Sequence, residues 1–472
     1  MSRFYRAVLS IRFAILKAIL LATLVSQPLS AETRVPVSQA EISLGFAPLV
    51  KAAAPAVVNI YVKRVVQTRS SPFQGDPLFA DMFRDFGKLR PRVQNSLGSG
   101  VILSADGYVV SNYHVVGEAT DIRVVLNDRR EYAAQVVLAD EQSDLALLRL
   151  EGAEDMPHLA LRDSDTVEVG ELVLAIGNPF GVGQTVSSGI VSGLARSGGA
   201  IGSARGYFIQ TDAPINPGNS GGALIDINGA LIGVNTRIVS RSGGSNGIGF
   251  AIPARLVTAF LAQAEAGETE FARPWAGISG QAVDADIAES IGLSIPGGIM
   301  ITEIHRESPF FKAGLMPGDV ILSVSGHSVN TPAEMIFRMT VAGIGNETEV
   351  TFFSEEEIDT RPVTLARAPD MPPRAALVTD DDTTLPQVQL ININPAVLAE
   401  FGLPLSSDGV VVADTGPFGA RAGLRVGDVI TEINGARVSD TGEAARKLAA
   451  SGRWLSLSVE RAGQRMQLRF RL

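Results

Sequence analysis

The sequence predicts a multidomain protein: an all-β domain, sandwich or barrel, followed by two copies of one small module. Three observations predict it. A chain of 472 residues exceeds what one typical core fills, so roughly two to four domains are expected. From about Ala54 to Pro253, short apolar runs are cut by tight-turn signals, the pattern of many strands and few helices. Beyond that, "AGLMPGDVILSVSGHSV" (Ala313 to Val329) is answered by "AGLRVGDVITEINGARV" (Ala422 to Val438) at an offset of 109 residues. A period this long means repeated domains and not a solenoid.

The elements follow in order. The N-terminus carries Arg3, Arg6, Arg12 and Lys17, then an uncharged run of 14 residues, 18 through 31, ending "QPLSA". Basic, apolar and small-residue regions in that order read as a secretory signal cleaved after Ala31. The run is shorter than the ~20 residues needed to span a bilayer. "AVVNIYV", "GVILSADGYVVSN", "IRVVLNDRREYAAQVVLA" and "GALIDINGALIGVN" read as strands, with bends at Asp106-Gly107, Asn127-Asp128 and Asn228-Gly229. Residues 68–95 show no strand alternation and read as a mobile surface loop whose four phenylalanines leave room for gating or assembly. Pro253 opens a helix with Leu256, Val257, Phe260 and Leu261 at helical spacing, ending near Gly267. Between the two repeats, "APDMPPRAALVTDDDTTLP" is rich in Pro and Asp, as a linker is.

Composition narrows the function. A hydrophobic content of 46% with 19% charged residues is that of a folded soluble chain. The net charge of −10, becoming −14 once the four basic residues of the signal are removed, argues against nucleic acid. Cysteine is absent, which excludes disulfides, thiolate metal sites and a cysteine nucleophile. His114, His158, His305 and His327 lack ligand spacing, so no metal is expected, and no other cofactor is called for.

One stretch points to chemistry. "TDAPINPGNSGGAL" (Thr211 to Leu224) surrounds Ser220 with residues that tolerate unusual backbone angles. A serine hydroxyl is a poor nucleophile unless a base takes its proton and a third group orients that base. "VVSNYHVVG" places His114 just after an apolar strand, and "DEQSDLALLRL" places Asp144 just before one. The order His114, Asp144, Ser220 is one that triad enzymes use. Each element alone is commonly a core, cap or turn residue; their joint occurrence in one β-rich domain carries the reading.

"SNYHVV", "SDLALLRL", "AIGNPFG" and "TDAPINPGNSGGAL" resemble the catalytic segments of the exported trypsin-fold serine proteases of the HtrA (Deg) family, in particular its Do-like members with two PDZ domains. Ser111 stands where that family often has Thr before Asn-x-His, a small hydroxyl residue in either case. The resemblance implies an all-β trypsin-like double β-barrel followed by two small α+β PDZ domains. The implied boundaries are a signal at 1–31, protease at 32–268, first PDZ at 269–368, linker at 369–384 and second PDZ at 385–472. It also implies that His114 is the general base, Asp144 its orienting partner and Ser220 the nucleophile, with the N–H groups of Gly218, Asn219 and Ser220 forming an oxyanion hole.

Pro214 stands where trypsin-like enzymes that cut after Lys or Arg carry an acid, and the resemblance puts Ile215 at the S1 pocket, favouring small aliphatic residues. Gly233, Val234, Asn235 and Thr236 would offer a strand edge to extended substrate. "RPWAGISG", with Trp275, Ala276, Gly277 and Ile278, fits a PDZ carboxylate loop; the second copy has no equally clear loop, so it is read as an assembly surface. "ARSGGAIGSARGY" (Ala195 to Tyr207) fits a sensor loop as well as an ordinary surface loop.

The implied activity is an ATP-independent serine endopeptidase of the periplasm, acting on unfolded or misfolded polypeptides and their C-termini. The lack of a P-loop agrees with it. A homotrimer or larger oligomer, and at most a loose membrane association, are expected. The alternative is a PDZ scaffold or chaperone with little proteolytic activity. An α/β-hydrolase esterase is excluded, because no G-x-S-x-G stands in a strand-to-helix context and the histidine comes first.

Overall fold

The computed structural model describes residues 45–70, 88–117, 119–178, 183–196, 207–216, 218–238, 246–381, 383–452 and 454–471. The predicted signal at 1–31, the centre of the 68–95 loop and most of the Ala195 to Tyr207 stretch lie outside them.

Of sandwich and barrel, the structure has barrels: two, each closed by six strands. The first joins β1 (Val57–Ser70), β2 (Lys88–Ile102), β3 (Tyr108–Ser111), β4 (Asp121–Val125), β5 (Glu131–Asp140) and β6 (Leu145–Leu150) in the order β1-β2-β3-β6-β5-β4. The second joins β7 (Leu172–Gly177), β8 (Thr185–Arg196), β9 (Phe208–Thr211), β10 (Ala223–Asp226), β11 (Leu231–Ile238) and β12 (Gly249–Pro253) in the order β10-β11-β12-β9-β8-β7.

Successive side chains of a strand face opposite ways, so a strand covered on both sides needs an unbroken apolar run. "LALL" of β6, residues 145–148, is such a run. Ala146, Leu148 and Leu150 enter the first barrel's core. Leu145 and Leu147 enter a cluster shared with Leu174, Ile176, Ala223, Ile225 and Phe250 of the second barrel. Burying each of those leucines stabilises by roughly 1.5–3 kcal/mol. The seam between the barrels is therefore packed, and the loops ending on it are held from both sides.

The three predicted bends fall between β2 and β3, β4 and β5, and β10 and β11. At the last, Asp226 Oδ1 accepts the N–H groups of Asn228 (2.8 Å) and Ala230 (3.0 Å) while Gly229 takes φ +85°. One expectation is corrected here. The ladder between β1 and β2 runs on to Ser70 opposite Lys88, so both flanks of the predicted 68–95 loop are strand. Long-range pairing supplies what local alternation lacks.

The helix Ala254–Glu265 follows β12 as predicted, buries Val257, Phe260 and Ala264, and gives way to Gly267 at φ +84°. Two α+β modules come next. The first has β13 (Ile278–Ala282), β14 (Ile299–Ile304), β15 (Val320–Val324), β16 (His327–Ser328), β17 (Glu347–Ser354) and β18 (Glu357–Thr364), in the order β13-β14-β15-β17-β18 with β16 beside β15. The second has β19 (Leu377–Val378), β20 (Gln389–Asn392), β21 (Val410–Asp414), β22 (Val429–Ile433), β23 (Ala436–Arg437), β24 (Trp454–Arg461) and β25 (Gln464–Arg471), in the order β19-β20-β21-β22-β24-β25 with β23 beside β22.

The repeat is structural. β15 and β22 begin at Val320 and Val429, one repeat offset apart, and the aspartate before each does the same job. Asp319 Oδ2 accepts from Met316 N, and Asp428 Oδ2 from Arg425 N, each at 2.8 Å. The predicted linker at 369–384 is corrected: Leu377 and Val378 form β19 and join the second sheet, and Thr379 is buried against it. Pro and Asp richness marked a loop-like stretch, but two residues suffice for a strand when an open edge waits beside them.

Candidate active site

His114 and Asp144 come from the first barrel, at the end of β3 and the start of β6, which are neighbours in the sheet. The one-turn helix Tyr113–Val116 turns His114 out of the strand path. Asp144 holds φ +55°, uncommon for a residue other than glycine, and is fixed there by its own backbone. Its carbonyl accepts Tyr113 N (3.1 Å) and Asn112 Nδ2 (3.0 Å), and its carboxylate accepts His114 N (3.0 Å).

His114 Nδ1 stands 2.9 Å from each carboxylate oxygen of Asp144. An ionised carboxylate can only accept, so Nδ1 carries the hydrogen and Nε2 presents its lone pair. The His114 side chain is 46% exposed and that of Asp144 6%, so the acid is shielded while the base faces outward. Burial alone would raise the Asp144 pKa; the hydrogen bond and charge of His114, with Thr236, outweigh it and hold the carboxyl below its ordinary value.

Ser220 comes from the second barrel, just before β10. Its backbone crosses the seam: Ser99 N donates to Ser220 O (2.9 Å), and Ser99 Oγ to Gly218 O (2.6 Å). Gly221 follows at φ +81°, and a Cβ there would lie 2.1 Å from the Ser99 carbonyl oxygen. Only glycine fits that approach. The Ser220 hydroxyl donates to the Thr236 carbonyl at 3.1 Å. Among the described residues it makes no hydrogen bond with His114. Thr236 thus joins the two halves: its own Oγ1 donates to Asp144 Oδ2 at 2.6 Å.

Three expectations for this loop change. Asn219 N donates to Asn216 O (3.0 Å), closing a turn, so that N–H is not turned toward a reacting atom. Among the described residues, the N–H groups of Gly218, at φ +98°, and Ser220 have no partner. Gly233, Val234 and Asn235 are not a free edge: β11 lies between β10 and β12, which pair with it on both sides. The ladder slips between Asn235 and Ile238, and there the Thr236 carbonyl turns to Ser220. Ile215 is buried in the second barrel's core, and its Cδ1 would stand 2.7 Å from a Cβ at Gly249.

In the first module, Ile278 opens β13, whose outer edge is unpaired among the described residues. Trp275 N donates to Ala366 O (2.8 Å), His305 N to Gly277 O (2.8 Å), and Ser308 Oγ to Ala276 O. Gly277 has φ +62°, and among the described residues the N–H groups of Ala276 and Gly277 have no partner. In the second module the corresponding strand, β20, has its edge covered by β19, with Leu377 opposite Leu390 and Val378 opposite Gln389.

The first module is docked on the second barrel's side of the protease. Phe337 of the helix Pro332–Ala342 stacks on Tyr207 with centroids 4.0 Å apart, and Arg338 binds both Asp165 and the Tyr207 hydroxyl. Sequence reading missed these residues, as it missed the tie from Thr236 to Asp144. No local spacing signals them, since each meets its partner only through the tertiary fold.

Residues 98–234 match the trypsin-like peptidase domain family, and residues 276–364 and 409–461 each match a PDZ domain family. A probable periplasmic serine endoprotease, DegP-like, of Marinomonas sp. strain MWYL1 is 38% identical over 446 residues, covering 90% of this chain and 93% of that protein. The periplasmic pH-dependent serine endoprotease DegQ of Escherichia coli strain K12 is 36% identical over 427 residues, covering 90% and 91%. The solved HtrA-type protease AlgW with decapeptide is 39% identical and superposes with a TM-score of 0.52 over 69% of this chain and 99% of that one. The barrels, the His114–Asp144 pair linked to Ser220 through Thr236 and these likenesses agree: the chain belongs to the HtrA/DegP-like family of serine endoproteases, a trypsin-like domain followed by two PDZ domains.

Proposed function

We propose that the protein degrades unfolded or misfolded polypeptides in the periplasm, with His114 as general base, Asp144 as its orienting acid and Ser220 as nucleophile. One observation carries this: a shielded carboxylate faces His114 Nδ1 and is bound by Thr236, whose carbonyl holds the Ser220 hydroxyl. Rotation of that hydroxyl onto His114 Nε2 readies it. The base takes the hydroxyl proton as Oγ adds to the scissile carbonyl, then returns a proton to the leaving amine. The oxyanion is received by the N–H groups of Gly218 and Ser220. Losing one such donor costs ~3 kcal/mol of barrier.

Pro214 stands where enzymes that cut after Lys or Arg carry an acid, so nothing there pairs with a basic side chain, and a short aliphatic residue such as Val or Ala suits the cleaved position. Substrate backbone pairs with β11 from Thr236 onward, where the ladder has opened. The first PDZ domain captures C-termini: β13 gives its edge to an incoming strand, and Ala276 and Gly277 give their N–H groups to the carboxylate. The decapeptide held by the solved relative supports a peptide role for this architecture. The signal ending at Ala31 directs export, a homotrimer is the assembly unit, and the stretch from Ala195 to Tyr207 serves as sensor.

A second reading, a chaperone or PDZ scaffold, is favoured by the Ser220 hydroxyl lying on Thr236 and not on His114. Fluorophosphonate labelling separates the two. An active enzyme is marked at Ser220, and Ser220→Ala is not. Digestion of an unfolded protein by both, with cleavage sites mapped by mass spectrometry, reads activity and side-chain preference together. No labelling and no cleavage by the wild-type chain would leave the scaffold.

A further inference from the structure

We propose that Arg273, in the segment between the protease and the first PDZ domain, is a positioning residue for Asp144, and that it acts through Asp140. The inference rests on the triad reading above and adds a residue that touches no reacting atom.

Asp140 ends β5 and Asp144 precedes β6, so the turn between them sets where the orienting acid stands. That turn is tied to the Asp140 carboxylate: Ser143 donates to Oδ2 through both its N–H (2.7 Å) and its hydroxyl. Asp144 N donates to Glu141 O at 3.2 Å, and Asp144 itself sits at φ +55°. A residue in that region persists only where its surroundings over-determine it. Asp140 is the member of the surroundings that grips the turn from below.

Arg273 grips Asp140 in turn. Its guanidinium meets both carboxylate oxygens, Nη1 at 3.0 Å from Oδ1 and Nη2 on Oδ2, in the two-pronged geometry that fixes orientation as well as charge. The pair is shielded, with side-chain exposures of 19% for Arg273 and 15% for Asp140. The guanidinium also lies 4.9 Å from the Phe271 ring centroid, and Phe271 packs on Phe260 of the helix Ala254–Glu265. The cation is thereby anchored on the protease core. Burial would raise the Asp140 pKa, but Arg273 and Ser143 outweigh it, so the carboxylate stays charged and able to accept.

The placement along the chain gives the contact a second meaning. Arg273 is two residues from Trp275, whose N–H is bound to Ala366 of the PDZ domain, and Pro274 between them is stiff. A displacement of the Trp275 to Ile278 loop on capturing a terminus therefore reaches Asp140 across one rigid residue. This route runs to the orienting acid, apart from the docked helix that meets Tyr207.

The test uses the full-length chain and a short chromogenic peptide with Val at the cleaved position. Arg273→Ala should lower kcat roughly ten- to hundredfold with KM unchanged, the scale expected when a reacting group is misplaced. Arg273→Lys, a cation without the fork, should fall between the wild type and Arg273→Ala. A tie that only stabilises the fold would lower the melting temperature and leave kcat intact below it, and that result overturns the proposal. If Arg273→Ala does not fold, Arg273→Lys decides, and a kcat equal to wild type rejects the role. Full activity in Ser220→Ala would instead refute the triad reading, which keeps the two failures apart.

Discussion

Thr236 and Asp144 are joined by a 2.6 Å hydrogen bond from the threonine hydroxyl to the carboxylate, across the seam between the two barrels. A hydrogen bond to a charged group contributes about 1.5–3 kcal/mol, and each ~1.4 kcal/mol of barrier is tenfold in rate. Thr236→Val should therefore lower kcat/KM roughly ten- to hundredfold, while Thr236→Ser keeps most of it. The bond also helps depress the Asp144 pKa from its ordinary 3.8, against the burial that raises it. A carboxylate depressed by folding stabilises above its unfolded value, and that stability is lost as pH falls through the depressed one. Acid unfolding of Thr236→Val should begin at higher pH than in wild type; identical acid transitions and identical rates would remove Thr236 from the site.

Gly221 tests how tightly the Ser220 loop is seated. A Cβ there would lie 2.1 Å from Ser99 O and 2.5 Å from Ser111 Oγ, at φ +81°. Gly221→Ala should abolish fluorophosphonate labelling of Ser220 and destabilise by more than the ~1–3 kcal/mol of backbone strain alone. Gly152, at φ +68° with nothing within 4 Å of its would-be Cβ, is the control. Gly152→Ala should bear only the strain and keep full labelling. Equal behaviour of the two variants in thermal unfolding and labelling would contradict the crowding described.

How much of this was legible in the sequence depends on distance along the chain. The bends at Asp106-Gly107, Asn127-Asp128 and Asn228-Gly229 are encoded by adjacent residues, and so is the helix after Pro253. The repeat was visible because a turn aspartate and a strand recur together. His114, Asp144 and Ser220 were visible as motifs, though their meeting needs the strand order of two barrels. What was illegible is set by partners far off in sequence: the extension of β1 against β2, the capture of β19 by β20, and the two-sided pairing that removes Gly233 to Asn235 from substrate. Periodicity reports which residues want burial, and it is silent on which strand covers an edge.

Stability around the docked helix of the first PDZ domain should fall in acid. Burial lowers the His327 pKa below its ordinary 6.5, and the Arg338 charge adds to it. Asp165, 3.6 Å away, favours the charged ring but is outweighed; Arg255 and Asp163 act in the same opposed senses. A histidine whose pKa is depressed by folding binds fewer protons folded than unfolded. The stability that His327 contributes is therefore complete above the ordinary value and is lost as pH falls toward the depressed one. Amide exchange in the helix Pro332–Ala342 should quicken on acidification from about pH 7.5 to 5.5, and His327→Gln should flatten that response. A flat wild-type profile, or an unchanged slope in the variant, would count against His327.

The second PDZ domain should bind no peptide tail while β19 is in place. A terminus docks by adding a strand to a sheet edge, and the edge of β20 is already paired by Leu377 and Val378 in antiparallel register. Thr379 N extends the pairing to Val388 O (3.0 Å), Asn392 N takes the Arg374 carbonyl (2.7 Å), and Thr441 Oγ1 takes that of Ala375 (2.9 Å). The chain's own segment thus spans from β20 to the helix Thr441–Ala449, where a guest would lie. Calorimetric titration with a peptide ending in an apolar residue and a free carboxylate should give one site per chain. Thr379→Pro, which removes the donor to the Val388 carbonyl and resists the sheet, should expose a second, weaker one. Two equal sites in the wild-type chain would show that β19 does not occupy the groove.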